Sequence, residues 1–99
     1  MSYLITMKVA GDVAVFKKVL AERADELAAV AERAKSLGAI HHRFGIGDGY
    51  VHVIDEWESA DAFQAFFGEP SMQELVASMG AQGEPEITVS EATHSPDEF

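Results

Sequence analysis

Two β-like runs, Ala39 to Gly45 and Tyr50 to Trp57, the second with Val51 and Val53 in alternation, flank the segment Gly45-Ile46-Gly47-Asp48-Gly49. Period-two alternation marks a half-buried strand, and glycines with an aspartate supply the positive φ angles of a tight turn. The middle of the chain is thereby committed to an antiparallel hairpin. The same glycines could suggest a phosphate-cradling loop. They precede a strand rather than a helix, however, and carry no lysine, which argues against that use.

The flanking segments complete the pattern. Residues 3–9 alternate, with Tyr3, Ile5, Met7 and Val9 on one side. Gly11-Asp12 follows, and Asp12 suits a helix N-cap. From Val13 to about Ser36 the spacing predicts one helix, with Phe16, Leu20, Leu27, Val30, Ala31 and Ala34 on one face. Gly38 stands where a helix-ending left-handed residue belongs. Ser59 is expected to cap a short helix carrying Phe63, Phe66 and Phe67, ended by Gly68 and Pro70. Ser71 with Glu74 matches a capping box for a second short helix, with Met72, Leu75, Val76 and Met79 on its apolar side and Gly80 at its end. Ile87 to Thr93 reads as the last strand. The order β-α-β-β-α(α)-β is the split βαβ of a ferredoxin-like α+β fold: a four-stranded antiparallel sheet with helices on one face. One domain is expected over residues 1–94, with a C-terminal tail at 95–99.

Composition narrows the function classes. Ninety-nine residues suffice for one domain, and one so small gains stability by pairing with a second copy. The absence of cysteine excludes disulfides and thiolate metal sites. No apolar run approaches the ~18–20 residues of a membrane span, and no signal peptide precedes the first strand, so a cytoplasmic protein is expected. All seven Lys and Arg lie in residues 1–43, whereas residues 44–99 hold twelve acids and no Lys or Arg. Neither nucleic acid nor an anionic membrane is an expected partner, because both need clustered cations. The acidic half reads as a solvated surface.

The element order, the length and the stretch Val51-His52-Val53-Ile54-Asp55-Glu56-Trp57-Glu58-Ser59-Ala60-Asp61-Ala62-Phe63 resemble the dimeric α/β-barrel superfamily, in particular its antibiotic-biosynthesis-monooxygenase-like (ABM-like) branch. There a strand ends in an acidic residue, one position and a Trp, followed by a Ser or Asp cap and an Ala-Phe helix. Gly38 to Phe44 looks like that family's second strand. The resemblance spans residues 1–94 at fold level and is distinctive over 38–67. It implies a homodimer whose sheets pack face to face, with a pocket between each sheet and its own helices. The family includes cofactor-independent oxygenases of phenolic polyketides and haem-degrading enzymes. The haem degraders use an Asn, a Trp and a helix His. Trp57 stands where their Trp would, but this chain has no Asn, and its helix at 71–79 has no His. No cofactor is therefore expected.

A two-residue turn at Gly47-Asp48 would pair Phe44 with Val51, His42 with Val53 and Ile40 with Asp55. That face continues to Trp57 and is assigned to the helix side. The other face carries His41, Arg43, Tyr50, His52 and Ile54, with Arg43 opposite His52, and is assigned to the dimer. Arg43 is expected to meet an acid such as Glu91. His42 and Asp55 would then be neighbours on an apolar wall, the imidazole as a base for a phenol or enol and the carboxylate orienting it. Trp57, Phe63, Phe66, Phe67, Phe44 and Met72 would form the substrate walls. The plainer reading makes His42 and Asp55 a satisfied polar pair in a small core, with the aromatic residues and Met72 as filler. No metal is expected: His41 and His42 point to opposite faces, His41 and His52 could share one, and His94 lies in another strand. No nucleophile motif stands out.

Two functions follow. One is an ABM-like small-molecule enzyme, a cofactor-independent monooxygenase of a small aromatic or enolisable compound. The alternative is a non-catalytic homodimer that binds a small hydrophobic ligand. A pocket of roughly 300 Å³ or more with His42 exposed into it marks the catalyst, whereas a sealed pair marks structure alone.

Overall fold

A computed structural model describes all 99 residues. Its elements are β1 (Tyr3–Ala10), α1 (Val13–Glu22), α2 (Ala24–Ser36), β2 (Ala39–Gly47), β3 (Tyr50–Trp57), α3 (Ala60–Phe67), α4 (Pro70–Ser78) and β4 (Glu86–Glu91). The strands form one antiparallel sheet in the order β2-β3-β1-β4. This is the expected ferredoxin-like α+β architecture. Directly paired residues share a face, so Ile5, Met7, Val51, Val53, Asp55 and Trp57 all point to the helix side, and all are buried. Phe63 and Phe66 of α3 close over them.

Five local expectations need correction. The long helix breaks at Arg23, which sits at φ −119°, ψ 32°. Its guanidinium bonds Glu26 through Nε at 2.7 Å and Nη2 at 2.5 Å, and reaches Ser78 Oγ of α4 at 2.8 Å. The bonds to Glu26 raise the Arg23 pKa above its usual value and lower that of Glu26. No Gly or Pro announces the break. Its only trace in the sequence is the acid pair Asp25-Glu26, which suits the first turn of a new helix.

The hairpin turn is Asp48-Gly49, with Gly49 at φ +76°, rather than Gly47-Asp48. Pairing therefore slides by two residues: Phe44 meets Val53, His42 meets Asp55, and His52 meets Gly45 instead of Arg43. A slide of two keeps every side chain on its expected face. Gly47 explains the choice, since the Tyr50 ring lies where its Cβ would be, 2.0 Å from Cζ. A β-bulge between Ala39 and His41 turns Ala39 toward Trp57 and leaves Ile40 43% exposed, not opposite Asp55.

Pro70 opens α4 rather than ending α3, and no side chain caps α4, so the Ser71–Glu74 box does not form. Proline at N1 brings its own helical φ, which moves the start two residues upstream, from a Ser71 cap to a Glu69 cap. Strand β4 ends at Glu91, and His94 lies beyond it, bonded to Glu98 at 3.0 Å. Asp12 and Ser59 do cap α1 and α3, with Asp12 Oδ1 accepting from Ala14 N at 2.9 Å and Ser59 Oγ from Ala62 N at 3.2 Å.

The loop after α4 is clamped to the end of β1. Asp12 N donates to the Gly80 carbonyl at 3.0 Å, and Gln82 N to the Ala10 carbonyl at 2.8 Å. The strand end fits only because residue 11 is glycine: a Cβ there would lie 2.5 Å from the Gly80 carbonyl oxygen, a backbone atom. Gly11→Ala is expected to cost about 1–3 kcal/mol through forced separation of the two loops, read as a lower midpoint in urea unfolding.

Candidate functional site

Helix α2 presents small side chains, Val30, Ala31 and Ala34, toward the sheet. They cannot fill the space that α3 and α4 leave beside it. The result is a cavity of about 410 Å³ between sheet and helices. Only 11 of the 99 residues are buried, so much of the inward apolar surface lines this cavity instead of forming solid core.

All eight residues expected on the helix side meet at the cavity: His42, Asp55, Trp57, Phe63, Phe66, Phe67, Phe44 and Met72. Trp57 is 2% exposed, edge-on to Phe63 at 5.7 Å and tilted against Phe66 at 5.6 Å. Phe63 and Phe67 stack at 5.7 Å with their planes 10° apart. Phe44 stands edge-on to both Phe16 and the His42 ring. This wall is rich in aromatic rings, and Phe63 and Phe67 present parallel faces.

One polar group interrupts it. His42 Nδ1 lies 2.6 Å from Asp55 Oδ1, and Trp57 Nε1–H donates to Asp55 Oδ2 at 3.0 Å. The direct β2–β3 pairing of residues 42 and 55 produces the first contact, and same-face i,i+2 spacing on β3 produces the second. The indole bond goes beyond the sequence expectations, and its signal in the sequence is Asp55-x-Trp57 on one strand face. An ionised carboxylate only accepts, so the proton of the 2.6 Å bond belongs on Nδ1, and in the neutral imidazole this leaves the lone pair on Nε2. The Asp55 side chain is 8% exposed while that of His42 is 45% exposed. The carboxylate is thus sealed behind the ring, and the ring is open to an incoming molecule. No buried side-chain polar atom lacks a partner.

Asp12, Lys35 and His41 are the other titratable side chains on the cavity wall; α3 and α4 bring none. Asp12 is occupied as the α1 cap, and Lys35 Nζ pairs with Glu32 Oε1 at 3.0 Å. Across the top, Arg33 of α2 pairs with Glu69 and lies over the Phe66 ring at 5.1 Å. The Glu69 bond raises the Arg33 pKa above its usual value. At the tail, hydrogen bonding to Ser95 lowers that of Asp97.

The uncovered face of the sheet reads in rows across β2, β3, β1 and β4: His41–Glu56–Leu4–Ser90, Arg43–Ile54–Thr6–Thr88, and Gly45–His52–Lys8–Glu86. His41, Arg43 and His52 thus lie on the face expected of them, and the bulge also brings His41 to the cavity rim. Arg43 pairs with no acid of its own chain. Glu91 lies on the opposite edge strand, which corrects the expected pair. No group of three or more His, Cys, Asp or Glu is gathered closely enough to hold a metal ion, and no helix is long and apolar enough to cross a membrane.

No family model matches the chain, and no curated protein does. Solved structures do. A monooxygenase of Streptomyces coelicolor, from the gene ActVA-Orf6 and solved with nanaomycin D, is 20% identical with a TM-score of 0.66, over 99% of this chain and 93% of that one. SnoaB, a cofactor-independent oxygenase of Streptomyces nogalater, is 16% identical with a TM-score of 0.58, over 98% and 97%. A conserved protein of Methanosarcina mazei is 12% identical with a TM-score of 0.62, over 94% of each chain. At such identities the likeness establishes the fold, which this chain shares with these proteins, and one fold hosts several functions.

Proposed function

We propose that this protein is a cofactor-independent oxygenase of a small aromatic or enolisable compound, with His42 as the base. The observation that carries this reading is the 45%-exposed imidazole, bonded to a buried carboxylate, on the wall of a mostly apolar 410 Å³ cavity. A merely structural pair would be sealed. His42 Nε2 takes the hydroxyl proton of a bound phenol, and the imidazolium stays bonded to Asp55. The phenolate passes one electron to O2, the co-substrate. The resulting radical and superoxide combine to a peroxide at a ring carbon bearing hydrogen; the peroxide takes the proton back from His42 Nε2, and with the ring hydrogen its outer oxygen leaves as water to give the quinone. Trp57, Phe63, Phe66, Phe67, Phe44 and Met72 hold the ring and exclude water, which keeps the phenolate poorly solvated and reactive. Support comes from two chains of this fold whose names carry monooxygenase and cofactor-independent oxygenase activity.

The test is a thermal-shift screen of phenols, quinols and quinones, followed by oxygen uptake with any that bind. The proposal expects a ligand that raises the midpoint and, if a quinol, consumes one O2 per molecule. A ligand that binds equally well without His42 and consumes no oxygen would leave the second reading, a binding protein without turnover. Ala31→Leu fills the cavity from α2. It should leave the unliganded midpoint unchanged or slightly raised, and weaken ligand binding at least tenfold as read by calorimetry.

We further propose that the protein works as a homodimer through the uncovered sheet face. Leu4 and Ile54 are 44% and 45% exposed at its centre. Unpaired Arg43 lies toward one edge and Glu86 on the opposite edge strand, so two faces stacked about a two-fold axis set cation against carboxylate. Ile54→Lys should convert a dimer to monomers in analytical ultracentrifugation. A wild-type monomer at micromolar concentration would refute the arrangement.

A further inference from the structure

The bond from Trp57 to Asp55 does more than satisfy a buried indole. We infer that Trp57 is a positioning residue: its Nε1–H fixes the Asp55 carboxylate so that His42 is held in a single tautomer, with Nε2 free toward the cavity. This inference rests on His42 acting as the base, but the device itself can be observed without turnover.

The geometry carries it. A carboxylate has two oxygens and one soft torsion, about Cβ–Cγ. Here each oxygen has one side-chain donor, His42 Nδ1–H on Oδ1 at 2.6 Å and Trp57 Nε1–H on Oδ2 at 3.0 Å. The two donors approach from different strands and fix that torsion between them. The indole is itself immobile, 2% exposed and packed on Phe63 and Phe66. His42 lacks such packing, being half-exposed with one edge-on aromatic neighbour, Phe44. Its orientation therefore depends on the bond to Asp55, and that bond on the carboxylate being held from behind. Order passes from the packed Trp through the carboxylate to the open ring, as it does when a fixed partner on one ring nitrogen decides the state of the other.

Apart from Asp55, the charged or titratable groups facing the same space are Lys35 from α2, Asp12 at the start of α1, and His41 on the strand of His42 itself. Lys35 and Asp12 already have partners, Glu32 and the α1 backbone. None of the three donates to Asp55, so the indole N–H is the one side-chain donor on Oδ2.

Trp57 is the only tryptophan in the chain, which makes an atom-level test practical. Growth on benzothienylalanine in place of tryptophan exchanges the indole N–H for sulfur at this one position while keeping the bicyclic shape. The readout is the pair of His42 ring-nitrogen signals in a ¹⁵N–¹H long-range spectrum, assigned with His42→Ala. In the native protein they should show one tautomer, protonated on Nδ1. In the sulfur protein they should move toward a mixture of the two tautomers. With a substrate in hand, kcat should fall about tenfold or more with KM little changed, since binding surface is conserved and only alignment of the base is lost. Should the analogue protein not fold, Trp57→Phe supplies the same comparison. His42 nitrogen signals that stay the same in the folded variant would overturn the inference and return Trp57 to a packing role. Signals that change in a protein without any oxygenase activity would uphold the device and refute the function instead.

Discussion

His42→Ala is expected to lower turnover by about 10²–10⁴-fold, the usual contribution of a positioned general base. The fold should survive. The ring is half-exposed and makes one hydrogen bond, so its removal costs about 1–2 kcal/mol, mainly by leaving Asp55 Oδ1 without a donor. Ligand binding should weaken far less than turnover, because the aromatic wall remains. The three readouts are steady-state oxygen uptake, urea unfolding and calorimetric titration. A variant with native turnover would remove His42 from the chemistry, whatever the fold suggests.

Trp57→Ala should have the largest effect on stability. Truncating a buried tryptophan costs about 3–5 kcal/mol through lost burial and an unfilled void. A second cost of about 1–3 kcal/mol arises because Asp55 Oδ2, deep behind the ring, loses its donor. Their sum approaches the whole stability of a small domain, about 5–15 kcal/mol. Thermal unfolding should shift down by at least ~15 °C or lose its cooperative transition. A drop of only a few degrees would mean that Trp57 is not the keystone of the Ile5–Val53–Phe63–Phe66 cluster.

Much of the architecture was legible because hydrophobic period and punctuation agreed. The alternation of 3–9 and 50–57 gave the two central strands, and Asp12 and Ser59 gave two helix starts. The face of His42 and Asp55 was also legible, since strand parity survives an error of two in register. What escaped was geometry finer than a pattern can hold. The turn residues depend on whether the Tyr50 ring needs a glycine beneath it. The bulge at Ile40 changes faces over one residue and leaves no compositional mark. The break at Arg23 is made by tertiary bonds to Glu26 and Ser78 in a stretch whose propensity is wholly helical. At the site, the members were legible but their connections were not. His42 was expected diagonal to Asp55 rather than opposite it, and Trp57 as a wall rather than a hydrogen-bond donor. The cavity itself follows from Val30, Ala31 and Ala34 being too small for their place. They read as ordinary helix-face residues until the sheet is set beneath them.

The central claim is that the space between sheet and helices holds a planar molecule whose oxygen meets His42. Crystals grown with the best-binding phenol or quinone from the screen test it directly. The ring should lie against Trp57, Phe63 and Phe67, with one oxygen about 2.6–3.2 Å from His42 Nε2. A cavity closed by side-chain collapse, or a ligand seated elsewhere with His42 turned to bulk water, would contradict it.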